Sequence, residues 1–305
     1  EADYDDANTV DYAIEVLGRK QDRPFFLACG IFRPHLPWYA PQRFFDLYPL
    51  ADIRLPKTRA NDLEDIPAEG RALSARRRDE FLHIKKHGKW KEAIRAYLAS
   101  ISFADAQLGR VLDALEQSSH RRNTIIVFWS DHGWHLGEKN HWHKSTLWEE
   151  ATRIPFLISA PGVTLDNTRC SLPVDTLSIY PTLLELCGLK PVAGLDGPSL
   201  VPLLKNPDGP WATPAITEFQ RGQCAVRTDR YRYIRYADGT EELYDHMRDP
   251  QEWTNIAGVE ASRPVITELA RWIPKYFSPN APSKKAYHFD PHTYGWTLRK
   301  EEARK

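Results

Sequence analysis

The chain of 305 residues is 42% hydrophobic and 11% aromatic, which is enough to bury a substantial core in one large or two unequal domains. Its mean hydropathy of −0.54, together with the lack of any apolar run of about eighteen residues, argues against an integral membrane protein. Lys and Arg together number 41, as do Asp and Glu, so no net charge favours nucleic acid or an anionic membrane as a partner.

The first two thirds of the chain alternate between helical and extended patterns. A helix capped by Asp5 or Asp6 is predicted first, and the apolar run 23–32 then predicts a buried strand of the type found in parallel sheets. Residues 50–88 are charged and predict an irregular surface excursion. The later predicted elements are a helix over 90–117, strands over 124–130 and 154–162, and a helix over 174–189. Residues 1–208 therefore predict an α/β domain with a mostly parallel sheet flanked by helices.

The pattern changes after residue 208. Residues 225–245 contain short alternating strands separated by turn signals at Asp229 and Asp238, which predicts antiparallel hairpins. A helix is predicted from Ser262 through residue 277, followed by a charged tail beyond Pro279 that we expect to be poorly ordered. Residues 209–305 therefore predict a small C-terminal α+β subdomain with an antiparallel sheet.

Chemically versatile side chains concentrate in one loop, "SDHGWHLGEKNHWHKS", directly after the predicted strand 124–130. Ligands of open α/β sheets bind at the carboxyl ends of strands, where Asp131 offers a carboxylate and His132 an imidazole to a metal ion. Gly133 would let the backbone turn sharply. Two adjacent ligands do not define a metal site, so a loop that only hydrogen-bonds a helix terminus remains an alternative. The four cysteines form no C-x-x-C pair, which argues against a zinc ribbon.

The segment "TIIVFWSDHGWHLGEKNHWHKSTLWEEATRIPFLISAPG" resembles the second half of the active site of type I sulfatases, in the alkaline phosphatase superfamily. It is most similar to the iduronate-2-sulfatase branch. The same resemblance extends over roughly residues 5–258 and is carried by four further segments: "PFFLACGIFRPHLPWYAPQRFFDLYPL", "YLASISFADAQLGRVLDALE", "VDTLSIYPTLLELCGL" and "ELYDHMRDPQEWTNIAG". The resemblance implies an alkaline-phosphatase-like fold and hydrolysis of the sulfate ester of a sulfated carbohydrate such as a glycosaminoglycan.

The resemblance also implies roles for particular residues. Asp131 and His132 match a late pair of calcium ligands, although calcium generally prefers oxygen ligands, so the choice of Ca²⁺ rests on the family alone. Lys144 matches the lysine that holds the sulfate, and His35 matches a histidine that contacts sulfate and the leaving-group oxygen, a candidate general acid. Trp134 and His143 are further candidates for substrate binding. Indoles stack on sugars, so Arg33, Trp38 and Trp142 could also line a sugar subsite; ordinary loop packing is the alternative for each of these side chains.

Family members use a formylglycine made from the Cys or Ser of a C/S-x-P-x-R motif, and no cysteine or serine of this chain begins one. The family's early pair of acidic calcium ligands is also missing, because helix capping explains Asp5 and Asp6 better. We therefore expect the C-terminal portion of a sulfatase, inactive by itself, whose partner is the N-terminal portion that carries the nucleophile. The acidic start "EADYDDANTV" lacks Met and an apolar leader, as expected of a processed chain or a fragment; the family implies a periplasmic, secreted or lysosomal location.

Two other hypotheses stay open at this point. The chain could be a non-catalytic sulfatase-like binding module that kept the scaffold. It could also belong to another enzyme of the superfamily, such as a two-zinc phosphatase or phosphodiesterase. Two-zinc sites need additional Asp and His ligands, whereas Lys144 lies where a sulfatase requires an ammonium group.

Overall fold

A computed structural model describes residues 4–279 and 287–298, and it shows helices and antiparallel strands. The helices are α1 Asp5–Gly18, α2 Gln42–Asp46, α3 Ala68–Lys86, α4 Trp90–Gln117, α5 Glu149–Thr152, α6 Ile179–Leu186, α7 Val201–Lys205 and α8 Arg263–Leu269. The strands are β1 Ile126–Trp129, β2 His135–Leu136, β3 Trp142–His143, β4 Phe156–Ser159, β5 Ala215–Glu218, β6 Cys224–Arg227, β7 Tyr231–Arg235, β8 Glu241–Asp245, β9 Tyr287–Asp290 and β10 Gly295–Leu298. Among these helices, none combines the length and the apolar character that a membrane crossing requires.

Helices α1, α2 and α4 pack together beside the site loop. Helix α4 has the bounds predicted from its apolar periodicity, and it buries Phe103, whose ring lies 5.5 Å from that of Phe44 in α2 and 5.0 Å from that of Tyr4. Helix α1 forms where it was predicted, but it begins at Asp5, its N-cap is Tyr4 and no side chain caps it. The predicted capping by Asp5 or Asp6 is therefore wrong; Asp6 is buried and serves a different purpose, described below.

The sheet of the first domain differs from its prediction. Strand β1 pairs with β4, and the pairing is antiparallel, as is every ladder among the described residues. Residues 24–31 form no strand and no helix, and Phe26 is 84% exposed, so the predicted buried strand is not seen in this part of the described chain. An apolar run predicts a buried strand, but it does not identify the neighbouring strand that would complete the backbone hydrogen bonds. The expected parallel pairing therefore could not be derived from this run alone.

The C-terminal unit matches its prediction closely. Strands β5 to β8 form a four-stranded antiparallel sheet in sequence order, and the two predicted turns connect β6 to β7 and β7 to β8. One face of the sheet packs on α8 through a core that includes Val226, Tyr233, Leu243, Ile266 and Leu269. The α/β class with a C-terminal antiparallel sheet is thereby confirmed, and the boundary near residue 209 stays a prediction.

Two segments contradict the sequence predictions. Residues 68–86, expected to be irregular, form helix α3; its charged residues leave only a short apolar stripe, including the buried Leu73 and Phe81, so its periodicity is weak. Residues 287–298, in the tail expected to be poorly ordered, form the hairpin of β9 and β10. Residues 280–286 and 299–305 of that tail lie outside the described residues.

Buried ion pairs join the C-terminal sheet to the loop between β1 and β4. Arg232 of β7 is 2% exposed; its Nε donates to Glu252 Oε1 at 2.5 Å, and its other nitrogens donate to Glu149 and to the Leu147 carbonyl. Glu252 Oε2 accepts the Glu149 backbone N–H at 3.0 Å. Lys139 donates to Asp62 at 3.1 Å and to the Glu252 carbonyl. The loop and the sheet are therefore held together by buried charges that are paired with one another.

The pKa of the Glu252 carboxyl predicts how the stability of the fold depends on pH. Burial raises the pKa of its carboxyl, but Arg232 and the hydrogen bond from His246 outweigh burial and bring the pKa to about 2. Because this pKa lies below the ordinary value of 4.5, the stabilisation is present above about pH 4.5 and is lost as the pH falls towards 2. Its size is on the order of 3 kcal/mol.

Chemical denaturation of the complete protein between pH 5 and pH 3 measures this effect. The wild type should lose stability steeply over this range, whereas Glu252→Gln should start less stable and show a shallower dependence on pH. Glu268→Gln, an exposed change in α8, is the matched control and should follow the wild type. Equal slopes for wild type and Glu252→Gln would contradict the assignment.

Candidate active site after strand β1

The site begins where β1 ends, at Ser130 to Gly133. The prediction that Gly133 permits a sharp turn is incomplete, because its φ is not left-handed and the requirement is close packing. A Cβ at Gly133 would lie 2.0 Å from the carbonyl oxygen of Glu150. The backbone N–H of Gly133 donates to the Ala151 carbonyl at 2.8 Å. The absence of a side chain lets this loop press against α5, which places Asp131 and His132 side by side.

Asp131 and His132 form a pair that suits a cation. His132 Nδ1 lies 2.8 Å from the Gly133 carbonyl, which can only accept, so the ring carries its proton on Nδ1 and keeps a lone pair on Nε2. Asp131 Oδ2 lies 3.2 Å from this Nε2. The carboxylate is 81% exposed and the imidazole 26% exposed, so both can be reached from outside the described chain. One carboxylate oxygen and one imidazole lone pair are a reasonable part of a metal-ligand shell.

Lys144 brings a positive charge to the same place. Its Nζ lies 2.7 Å from His132 Nε2 and donates to that lone pair, and it lies 6.0 Å from the centre of the Trp134 ring. The predicted metal pair and the predicted sulfate lysine are thus in direct contact. A cation that takes the His132 lone pair would release the ammonium to donate to an anion.

Trp134 lies at the centre of the site. Its ring centre is 4.6 Å from that of His143, 6.2 Å from that of His35 and 6.3 Å from that of His132. The structure therefore brings together all six predicted site residues: His35, Asp131, His132, Trp134, His143 and Lys144. Trp134 is only 8% exposed and Trp142 only 2%, so neither ring offers an open face on which a sugar could stack.

Asp6 holds the loop that carries His35. Its carboxylate accepts the backbone N–H of Phe32 at 2.6 Å and that of Arg33 at 3.2 Å. His35 Nδ1 lies 2.7 Å from the Leu36 carbonyl and donates to it, so the Nε2 atom of the neutral ring is an acceptor. The His35 ring packs on Phe32 and Trp134, with ring centres 4.7 Å and 6.2 Å away.

Sequence reasoning missed a second group of residues, which reach the site from α3. Glu80 of α3 accepts a hydrogen bond from His143 Nε2, and the Ser74 carbonyl lies 2.9 Å from His141 Nδ1. Burial raises the pKa of Glu80, but hydrogen bonds from Arg77 and His143 outweigh it and lower the pKa overall. More than sixty residues separate these partners in the chain. No local spacing could have paired them, and the contacts depend on a helix that was not predicted.

Glu149, His246 and Glu252 also have ligand atoms within 4.8 Å of one another. Their lone pairs are already used, because Arg227 donates to His246 Nδ1 and to Glu149, His246 Nε2 donates to Glu252, and Arg232 donates to both carboxylates. Two guanidinium groups balance the two carboxylates, so this cluster is an ion-pair network and fits a metal ion less well than Asp131 and His132 do.

Asp131, His132 and Lys144 thus place a carboxylate, an imidazole and an ammonium group together after β1. The sequence model of the sulfatase family matches residues 2–189, and that of the C-terminal region of N-sulphoglucosamine sulphohydrolase matches residues 137–277. The chain therefore belongs to the sulfatase family, whose members hydrolyse sulfuric esters and generally bind a divalent metal ion.

Known proteins show the same relationship. A sulfatase from Formosa agariphila is 44% identical over 271 residues, which cover 88% of this chain and 53% of that protein. Iduronate 2-sulfatase from Mus musculus is 37% identical over 60% of this chain and 40% of that protein. A phosphonate monoester hydrolase from Silicibacter pomeroyi superimposes with a TM-score of 0.77 at 22% identity, over 97% of this chain and 64% of that one, and confirms the alkaline-phosphatase-like fold. The chain spans about half the length of the curated relatives it matches.

Proposed function

We propose that this chain supplies the metal-binding and sulfate-binding residues of a sulfatase that removes sulfate from a sulfated carbohydrate. The observation that carries the proposal is the contact between Lys144 and His132, 2.7 Å apart, with Asp131 on the other side of the imidazole. The proposed cation site and the proposed anion site therefore meet at His132 Nε2.

Asp131 and His132 would hold one divalent ion, which we take to be Ca²⁺ on the family resemblance. The bound ion would supply positive charge opposite the sulfate. Their donor set fits a cation, although a carboxylate and an imidazole do not by themselves select calcium over softer metals. The remaining ligands would come from outside this chain.

Lys144, His35 and His143 would contact the substrate. The Lys144 ammonium would bind the sulfate oxygens, where negative charge grows as the S–O bond breaks. His35, in its protonated form, would give a proton to the leaving oxygen through Nε2. His143 would contact the group next to the sulfate, and Trp134 would hold these side chains in place by packing. Arg33 and Trp38, which are half-buried beside His35, remain candidates for the sugar subsite.

The nucleophile would belong to an N-terminal portion of the enzyme. Three serines begin S-x-P-x runs, but none is followed by the required arginine: Ser159, Ser171 and Ser262. Such a portion could pack on three exposed apolar side chains. These are Phe26, before α2, and Trp129 and Leu157 of the β1–β4 pair. The similarity to iduronate 2-sulfatase supports a sulfated sugar as the substrate.

Two other functions receive less support. A non-catalytic module would have no chemical need for Asp131, His132 and Lys144 in contact with one another, or for His35 packed on the adjacent Trp134. A two-zinc phosphatase or phosphodiesterase would need further Asp and His ligands near Asp131, where Lys144 lies instead. The likeness to the phosphonate monoester hydrolase, at 22% identity, concerns the fold alone.

Lys144→Ala is the most direct test of the proposal in the complete enzyme. An ammonium that stabilises the transition state in a sheltered site is worth on the order of 10²–10³ in turnover. We therefore expect kcat/KM for an aryl sulfate to fall by about that factor, with an unchanged melting temperature. Lys20→Ala, at an exposed position, is the control and should change activity by less than about twofold. A folded Lys144→Ala enzyme with near-normal kcat/KM would remove Lys144 from the site.

Asp131→Asn tests the metal assignment. The change keeps the shape of the side chain but removes the negative charge that faces the divalent ion, so both the metal content and the turnover should fall. Metal analysis of the purified complete enzyme, together with kinetics at several concentrations of added Ca²⁺, measures the effect. Equal calcium content and equal activity in wild type and variant would refute the role of Asp131.

The 305 residues alone should hydrolyse no sulfate ester, because the covalent step requires a nucleophile that they do not contain. Assay of the purified chain on an aryl sulfate, with mass spectrometry to detect any second polypeptide, checks this expectation. Robust turnover in the absence of a partner would show that the nucleophile lies within this chain.

A further inference from the structure

The backbone around Lys144 adopts a conformation that L-amino acids disfavour. His143 has a φ of 77° and Ser145 a φ of 76°, and neither residue is glycine. Left-handed φ values at two non-glycine positions separated by a single residue persist only where the surrounding structure holds them. The residue that would bind sulfate is therefore flanked by two strained residues. The contacts that maintain this strained backbone would also determine the position of Lys144.

Three neighbouring side chains restrain this segment from different directions. Glu80 of α3 accepts a hydrogen bond from His143, immediately before Lys144. His141 Nε2 lies 2.9 Å from the carbonyl oxygen of Lys144 itself. The Thr146 hydroxyl, two residues after Lys144, lies 2.7 Å from the Nε2 atom of the buried His135. His143, the Lys144 carbonyl and Thr146 each have a separate partner, so contacts from the surroundings restrain the segment on both sides of Ser145.

Two of these restraints originate in helix α3. The Nδ1 atom of His141 lies 2.9 Å from the Ser74 carbonyl, while the Ser74 hydroxyl donates to the Lys139 carbonyl at 2.9 Å. His141 is fully buried, with each ring nitrogen against a carbonyl oxygen. A carbonyl can only accept, so the neutral ring donates to one of the two oxygens and the imidazolium donates to both. In either form the ring fills the space between α3 and the backbone of Lys144, with one nitrogen 2.9 Å from each carbonyl oxygen.

We propose that helix α3 positions Lys144, with His141 as the main positioning residue and Glu80 as the second. His141 sets the carbonyl of Lys144, Glu80 sets the adjacent His143, and together they keep the ammonium against His132 Nε2. Neither residue touches the reacting atoms; each acts through Lys144. The inference rests on the proposed function for its effect on turnover, while its structural content can be measured separately.

A double-mutant cycle in the complete enzyme separates positioning from general stability. His141→Leu removes both ring nitrogens at similar volume and should lower kcat for an aryl sulfate roughly tenfold, as expected for the loss of a buried hydrogen bond. His141→Gln retains one donor and should recover part of the activity. In the Lys144→Ala background, His141→Leu should cause no further loss beyond about twofold, because the group through which it acts is already absent.

His83→Gln is the matched control, since His83 lies on the exposed face of the same helix, where its ring packs on that of His87. Its activity should equal that of the wild type in both backgrounds. If His141→Leu does not fold, Glu80→Ala provides the same cycle at a partly exposed position and should show a smaller loss that is likewise absent without Lys144. Equal losses in the two backgrounds, for whichever variant folds, would show a merely structural role and overturn the inference.

Hydrogen–deuterium exchange of residues 143–146 keeps the two proposals distinguishable. Exchange of these amides should be faster in His141→Leu, or in Glu80→Ala, than in the wild type and should be unchanged in His83→Gln. A complete wild-type enzyme that hydrolyses no sulfate ester would refute the proposed function, and faster exchange would still support positioning by α3. Unchanged exchange at 143–146 in the folded variant would overturn the inference whatever the activity.

Discussion

The site depends on a group of charges that are buried together where the C-terminal sheet meets the β1–β4 loop. Lys139, Arg232 and Glu252 are each 2% exposed or less, and an unpaired charge in such a position would be strongly destabilising. Each is stable only because the loop supplies Glu149 and a carbonyl, the sheet supplies Arg232, and the segment before α3 supplies Asp62. Loop and sheet therefore adopt their arrangement together, and the C-terminal unit acts as the rigid support of the site.

Helix α3 contributes a second set of contacts to the same loop. The sheet fixes the loop at Lys139, Leu147 and Glu149, while α3 contacts it at Lys139, His141 and His143. Lys144 lies between these two sets of anchors. A flexible side chain with a strongly hydrated ammonium would otherwise lose much entropy on binding an anion, and a preorganised backbone reduces that cost. Such support explains how strained residues can persist beside a lysine that we assign to sulfate.

The sequence predicted some parts of this arrangement because their information is local. The apolar stripe of α4 spans 28 residues, so its bounds followed directly from the period of the side chains. The hairpins of β6 to β8 followed from alternation and turn residues. The six site residues came partly from position after a strand and partly from family resemblance, and the structure places them around Trp134. Helix α3 was missed because its exposed charges hide a short apolar stripe, and the parallel sheet was expected from a run that pairs with nothing among the described residues.

By itself the sequence determined which residues form the long helix and the C-terminal hairpins, where the loop rich in histidines lies, and which family the chain resembles. These properties depend on periodicity, turn chemistry and motif order, which are written in consecutive residues. Only the tertiary structure decided that Asp6 holds the His35 loop, that Trp134 is a packed centre without an open face, and that Glu80 and Ser74 reach the segment of Lys144. Those contacts join residues 26 to 67 positions apart, and their geometry is set by how helices and sheet pack around buried charges, which no local pattern encodes.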